Sequence, residues 1–187
     1  MTSYPKFAEI KGKKYKLNTD FRVALKCNEV AEDSNILDEE RAMAILYLLY
    51  GDEGLKDTEN WEELLKTALK YLSCGQSKEN KNKKEEADMD FTQDWNYIQT
   101  SFFSDYNIDL TKSQIHWWQF CDLVGGLTEK CILNRVRFVR NFDISQIKDS
   151  KEKEKWIKQK ELVALRREKT SEEKRLDEVF ERQLRGE

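Results

Sequence analysis

The chain has 187 residues, of which 37% are charged and 39% hydrophobic, and its formal net charge is -3. This near balance of charges argues against a nucleic-acid-binding protein that relies on bulk positive charge, and the length suits one domain or one domain with an appendage. With one Pro and seven Gly, a mainly α fold, a helical bundle, is predicted. Because the chain has no apolar leader and no stretch of the ~18 apolar residues that a membrane span needs, we expect a cytoplasmic protein without membrane contact.

The N-terminal unit, residues 1–74, is predicted to open with a small β-hairpin. Apolar and polar residues alternate on both sides of the Lys-Gly-Lys-Lys segment at residues 11–14, which supplies a turn containing glycine. An isolated hairpin is only marginally stable in water, so this one is expected to lean on helices.

Three helices are predicted to follow the hairpin. Thr19 is expected to cap the first, which runs to about Glu32, and the second extends from Asp38 until Gly51 stops it. The second helix is apolar nearly all round at its end and is therefore expected to be central to the core. A capping box at residues 60–63 is predicted to begin the third helix.

Residues 75–89 differ in composition from the segments on either side. They are rich in Lys, Glu and Asn and nearly free of apolar residues, which predicts a charged, flexible linker. A basic contact or a protease site is another interpretation of the same run. The linker divides the N-terminal unit from an aromatic-rich helical unit at residues 90–147. These two units are expected to pack on each other, because neither buries a large core alone.

The aromatic-rich unit contains the only His and three of the five Trp. Asp90 is expected to begin a helix whose apolar stripe comprises Phe91, Trp95, Ile98, Phe102 and Phe103. A capping box at residues 111–114 is predicted to begin the next helix, which the glycine pair at 125–126 weakens or closes. The inward face of that helix is expected to comprise Ile115, Trp118, Leu123 and Leu127. A further helix follows, and its polar face carries Asn134, Arg135, Arg137 and Arg140.

Residues 148–187 are densely charged and are predicted to form a helical extension. Apolar residues cluster first at Trp156, Ile157, Val163 and Leu165, and then at Leu176, Val179, Phe180 and Leu184. The second cluster has the spacing of an amphipathic helix, and a capping box at residues 170–173 suggests two helices rather than one. Such a segment either docks into the groove of a partner protein or packs its narrow apolar stripe on the same chain.

The residue patterns predict no catalytic, cofactor or metal site. His116 lacks an acidic partner on the same helical face, so we expect a half-buried ring whose nitrogen caps or bonds a backbone group. The four Cys lack Cys-x-x-Cys spacing and are expected to be reduced thiols packed as small hydrophobic residues. No glycine-rich phosphate loop and no nucleophile elbow is present.

Adjacent tryptophans at residues 117 and 118 point ~100° apart on a helix, so both cannot face the same core. One is expected to fill the interior, while the other seals a second layer or stands exposed as an anchor for a partner. The arginine group either binds an acidic surface or is neutralised by nearby Asp and Glu. The candidate partner-binding residues are therefore Trp117, Trp118, Arg135, Arg137, Arg140, Trp156, Leu176, Val179 and Phe180.

Several short motifs follow one another in order in the aromatic-rich unit. They are Tyr-Asn-Ile-Asp-Leu at residues 106–110, His-Trp-Trp-Gln-Phe at 116–120, Leu-Val-Gly-Gly-Leu at 123–127 and an arginine-rich turn at 135–140. In this order they resemble a family of small proteins encoded in the tail-gene clusters of long-tailed phages and prophages. The resemblance covers roughly residues 15–143 and leaves the charged extension outside the shared motifs.

The resemblance implies a non-enzymatic protein of tail morphogenesis that acts in the cytoplasm of a bacterial host. The role it implies is that of a tail assembly chaperone, which coats the tape-measure protein, recruits tail-tube subunits and self-associates along its client. One alternative is a structural tail or baseplate component that stays in the particle. The other is a nucleic-acid-binding regulator that uses the arginine helix, which the near-neutral charge disfavours.

Overall fold

The computed structural model describes residues 4–75 and 87–166, together with Arg182. Two antiparallel strands open this part of the chain, β1 at Phe7–Ile10 and β2 at Lys13–Lys16. Its helices are α1 at Phe21–Glu32, α2 at Asp38–Tyr50, α3 at Asp52–Lys56, α4 at Trp61–Leu72, α5 at Trp95–Tyr106, α6 at Trp117–Gly125, α7 at Ile132–Asn141 and α8 at Ser150–Val163. The predicted mainly α fold with a small N-terminal hairpin is confirmed. The predicted second helix of the extension, beyond residue 166, lies outside the described residues.

The hairpin turns through Lys11 and Gly12, which both have positive φ angles, of 50° and 81°. Two such residues are what a type I′ turn requires between twisted strands. Alternation along the strands buries Ala8, Ile10 and Tyr15, and β1 lies against α4. The hairpin therefore leans on a helix, as its marginal stability requires.

Asp57, in the connection between α3 and α4, binds the hairpin to the helices. Its carboxylate accepts hydrogen bonds from Nζ of Lys13 at 2.8 Å and from Oη of Tyr15 at 2.5 Å. These hydrogen bonds, that of Lys13 first, lower the pKa of Asp57 from 3.8 to about 2, because they favour the ionised carboxyl group.

We expect the Asp57→Asn variant to lose less stability in acid than the wild type. The folded state has the lower pKa, so the carboxylate contributes fully above the unfolded value of 3.8, and this contribution is lost as the pH falls through about 2. Thermal melts of both proteins at a series of pH values across that window test this expectation. Melting temperatures that fall in parallel would contradict it.

The helices α1, α2 and α4 largely follow the bounds of the three predicted helices, but the caps of α1 and α4 differ from the prediction. Asp20, not Thr19, caps α1 by accepting a hydrogen bond from the Arg22 amide at 2.9 Å. The Asn60 side chain forms no cap on α4; its amide group donates to Asp57 at 2.9 Å. Gly51, with a φ of 65°, ends α2 as predicted.

The helices α5 and α6 begin later than predicted. Instead of starting α5, the Asp90 carboxylate accepts hydrogen bonds from two amides of a turn, those of Thr92 and Gln93. The Asp109 carboxylate likewise accepts the amide and hydroxyl of Thr111, so the predicted capping box at 111–114 is not formed. Such aspartate hydrogen bonds offer the backbone a turn in place of a helix.

A continuous hydrophobic cluster joins the two units that flank residues 76–86. At its centre Phe120 of α6 stacks on Phe21 of α1, with ring centroids 4.7 Å apart, and on Phe102 of α5 at 5.2 Å. The units therefore pack on each other, as expected. Phe103 was wrongly placed on the inward stripe of α5: it is 61% exposed, because neighbouring helical residues point ~100° apart.

The ends of the aromatic-rich half are also attached to the core. Asp88, which falls in the predicted linker, forms an ion pair with Arg137 at 3.1 Å, while residues 76–86 of that linker lie outside the described residues. On α8, Trp156 stacks on Phe142 with ring centroids 3.9 Å apart, and the Lys160 ammonium donates to the Phe142 carbonyl at 2.8 Å. Of the two interpretations of the extension, packing on the same chain holds for α8.

Two features are absent from the described residues. None of their helices is long and apolar enough to cross a bilayer. No group of three or more His, Cys, Asp and Glu side chains among them is placed to hold a metal ion.

Candidate interaction surface

The adjacent tryptophans at the start of α6 bind the end of α4. Trp117 is 2% exposed, and its Nε1 donates to the Leu72 carbonyl at 3.0 Å. Trp118 is half-buried, and its Nε1 donates to the Tyr71 carbonyl at 2.9 Å. Both indoles thus donate to carbonyls in the last turn of α4, and the Tyr71 carbonyl also accepts from the Cys74 amide at 3.0 Å. Trp117 fills the interior, and Trp118 seals the layer between α4 and α6.

His116 is the N-cap residue of α6, as its predicted capping role requires. Nδ1 accepts a hydrogen bond from the Trp118 amide at 3.0 Å, and Nε2 lies 2.9 Å from the Pro5 carbonyl oxygen. Since Nδ1 accepts, Nε2 carries the proton and donates to Pro5. Backbone hydrogen bonds from the Phe21 amide to the Ile115 carbonyl, and from the Trp117 amide to the Thr19 carbonyl, hold the starts of α1 and α6 together.

Arg140 is a structural residue rather than a surface cation. Its two terminal nitrogens each lie 2.7 Å from an oxygen of Asp94, a residue that is 1% exposed. The same guanidinium donates to the carbonyls of Asp88 at 2.8 Å and Val163 at 2.6 Å. Because Arg137 is paired with Asp88, the interpretation that nearby acidic residues neutralise the arginines holds for Arg137 and Arg140.

The outward side of α7 presents the remaining arginine beside an exposed aromatic ring. Arg135 is exposed and pairs with no acidic group within residues 4–75 and 87–166, while Phe138 is 60% exposed. A cavity of about 570 Å³, here called the α7 groove, lies along them; its lining is Glu129, Asn134, Arg135, Arg137, Phe138, Val139 and Asn141.

Two further aromatic rings, those of Phe142 and Trp156, pack against Phe138. Its ring centroid lies 5.6 Å from that of Phe142 and 6.5 Å from that of Trp156, and the latter two rings stack on each other. Trp156, predicted as a partner contact, is half-buried in this support. The supported ring therefore has a fixed position on the surface, which favours a contact residue over a mobile side chain.

Phe138 and Phe142 were missed as site residues in the sequence. One signal was present: Phe138 lies three residues after Arg135 and so shares the polar face of α7, where an apolar ring is unexpected. The last three predicted contact residues, Leu176, Val179 and Phe180, lie outside the described residues.

The fold and its surface thus define a mainly α-helical protein that has one shared aromatic core and an exposed groove of aromatic and basic character. Residues 3–165 match the family model described as Bacteriophage Gp15 protein, and the chain belongs to this family of phage proteins. The expected phage family is thereby confirmed. The match extends beyond the motifs at 15–143 and includes both the hairpin and α8. No curated protein and no solved structure matches the chain significantly.

Proposed function

We propose that this phage protein is a non-enzymatic tail assembly chaperone that binds the tape-measure protein in the host cytoplasm and recruits tail-tube subunits. The observation that carries the proposal is the α7 groove, in which Phe138 is 60% exposed on a packed aromatic support. Exposed aromatic rings with an arginine beside them are typical centres of protein interfaces. The ordered motifs of the aromatic-rich unit support the same role.

The chemistry of the groove suits an amphipathic helix. A tape-measure protein is a long amphipathic chain that aggregates when its apolar stripe is exposed. An apolar side chain of that stripe would cover Phe138, and an acidic residue one turn away would pair with Arg135. Arg137 and Arg140 are already paired with Asp88 and Asp94, which leaves less basic surface for the nucleic-acid alternative.

The length of the groove implies many copies for each client. The lining residues on α7, from 134 to 141, span only about 10 Å of helix. One copy therefore covers about two turns of a client helix, and its affinity is expected to be modest. Repetition along the client, together with contacts between neighbouring copies, would make the coat effective.

The test is co-expression of the tagged protein with the tape-measure protein of the same phage, followed by pull-down and light scattering. The wild type is expected to hold the client in a soluble, multi-copy complex. The Phe138→Ala variant should retain about tenfold less client, because it removes the anchor of the contact. Arg135→Glu should weaken capture further, since it replaces the complementary charge with a repulsive one.

Phe7→Ala serves as the matched control, because it removes a ring of similar exposure, 57%, from the hairpin. It should capture as much client as the wild type. A wild-type protein that stays monomeric and leaves the client insoluble would overturn the chaperone proposal. Mass spectrometry of purified particles separates the retained tail component, which would be found there, from a chaperone, which would be absent.

A further inference from the structure

Two cysteines from distant parts of the chain meet where α4 ends against α6. Cys74 follows the end of α4 and Cys121 lies on α6; both are half-buried, and the two thiols lie close enough to act on each other's ionisation. The other cysteines, Cys27 and Cys131, are 0% and 4% exposed. The chain thus contains one accessible pair of neighbouring thiols and two buried thiols for comparison.

The packing around the pair holds the two thiols close together. Trp118 donates to the Tyr71 carbonyl at 2.9 Å, and their rings stack with centroids 6.1 Å apart. Cys74 lies three residues after Tyr71, and Cys121 lies three residues after Trp118. The contact between Trp118 and Tyr71 therefore holds the end of α4 against α6, three residues before each thiol.

The backbone at Cys74 directs the chain back against α6. Cys74 has a φ of 52°, a left-handed conformation that non-glycine residues rarely adopt and that glycine usually supplies at helix ends. The next amide, of Gly75, donates to the Lys70 carbonyl at 2.9 Å. A Cβ placed on Gly75 would lie 3.3 Å from Cη2 of Trp118, so this reversed segment is in contact with α6.

The hydroxyl of Tyr71, three residues before Cys74, is a buried polar group without a hydrogen-bond partner in the described residues. Tyr71 is 4% exposed, and its Oη forms no hydrogen bond with any residue in the described part of the chain. A buried polar atom without a partner is unusual in a packed core. Burial raises the pKa of this hydroxyl, and the nearby thiols of Cys74, Cys121 and Cys27 raise it further.

We propose that Cys74 and Cys121 are a thiol pair that a disulfide oxidant, such as oxidised glutathione, converts into a covalent link between α4 and α6. The reducing cytoplasm would keep both thiols free, and the link would form when the protein meets oxidising surroundings. This property is independent of client binding at the α7 groove.

The reaction is a double thiol–disulfide exchange. The Cys74 thiolate attacks one sulfur of oxidised glutathione, whose S–S bond breaks, and one glutathione leaves as a thiolate that takes up a proton. Cys121 then gives up its proton and attacks Sγ of Cys74, which releases the second glutathione. Two protein thiols are oxidised, and one oxidised glutathione is reduced to two thiols.

The interaction with the Cys121 thiol lowers the pKa of Cys74, which favours Cys74 as the attacking thiol of the pair. Burial raises the pKa of Cys27 to about 12, so this thiol stays protonated and inert. The order of attack can therefore be read from variants of the pair.

The experiment treats the full-length protein with oxidised glutathione, blocks the remaining thiols and maps the peptides by mass spectrometry. The wild type is expected to lose two of its four thiols and to yield a peptide that links Cys74 to Cys121. The Cys121→Ser variant should stop at a mixed disulfide of glutathione with Cys74. The Cys74→Ser variant should stay largely unmodified, as should Cys27 and Cys131 in every sample.

The wild-type measurement decides the proposal even if a variant folds poorly. Absence of the linked peptide, or links that join two copies of the chain, would overturn it. A second readout is the melting temperature, which oxidation should raise and a reductant should restore, because the link restricts the unfolded chain. The melting temperature of Cys74→Ser should not respond to the oxidant.

Discussion

Replacing Asp94 with Ala is expected to lower the free energy of unfolding by about 3–5 kcal/mol. Asp94 is 1% exposed, and the side chain of Arg140, which meets it through two 2.7 Å contacts, is 10% exposed. The variant leaves the guanidinium buried without its counter-ion, and this desolvated charge is the source of the loss. Since Arg140 also binds carbonyls at Asp88 and Val163, the attachment of α8 should weaken as well.

Urea denaturation of wild type and Asp94→Ala measures this difference. Glu154→Ala is the matched control, because it breaks the exposed pair of Glu154 with Lys158 and should cost less than ~1 kcal/mol. The double variant Asp94→Ala with Arg140→Met should recover much of the loss, as it removes the unpaired charge. A single-variant loss no greater than that of the control would show that the pair does not stabilise the fold.

Replacing Phe120 with Ala is expected to cost about 3–5 kcal/mol of unfolding free energy. The ring is 0% exposed, and its neighbours are Phe21, Phe91, Phe102 and Trp117. Its removal opens a cavity where α1, α5 and α6 meet, and the fixed backbones around it can collapse only partly.

The matched comparison is Phe138→Ala, the same deletion at a ring that is 60% exposed. It should change stability by less than ~1 kcal/mol while reducing client capture. Denaturation curves of the two variants therefore separate the core from the proposed contact surface. Equal losses in both would mean that Phe138 is a packing residue rather than a contact residue.

Local signals were sufficient for much of the fold. The bounds of α2 and the end of α4 follow from hydrophobic periodicity. Gly51 ends α2 because its φ of 65° is a left-handed conformation that glycine adopts without strain. His116 was recognisable as a cap because a lone ring without an acidic partner has few other roles. The starts of α5 and α6 were not predictable, since an aspartate such as Asp90, or a capping-box pattern such as that at 111–114, is the same in sequence whether its side chains cap a helix or close a turn.

The candidate surface depended on contacts that sequence spacing does not reveal. Asp94 and Arg140 are 46 residues apart, so the burial of Arg140 could not be inferred from its own helix. Trp117 and Arg137 were predicted as contacts but are engaged within the molecule, whereas Arg135 is exposed and forms no ion pair with the residues that the structure describes. The exposure of Phe138 likewise depends on tertiary packing, because α8 covers one side of α7 and leaves this ring 60% exposed.

The sharing of one core by two halves of the chain has a consequence for synthesis on the ribosome. Phe21 leaves the ribosome early, yet the ring that covers it, Phe120, is added about a hundred residues later, which takes several seconds or more at ~5–20 residues per second. During that interval the nascent N-terminal half displays an uncovered apolar face. Folding is therefore completed only after translation has passed α6, and a chain released before that point never receives the ring that closes its core.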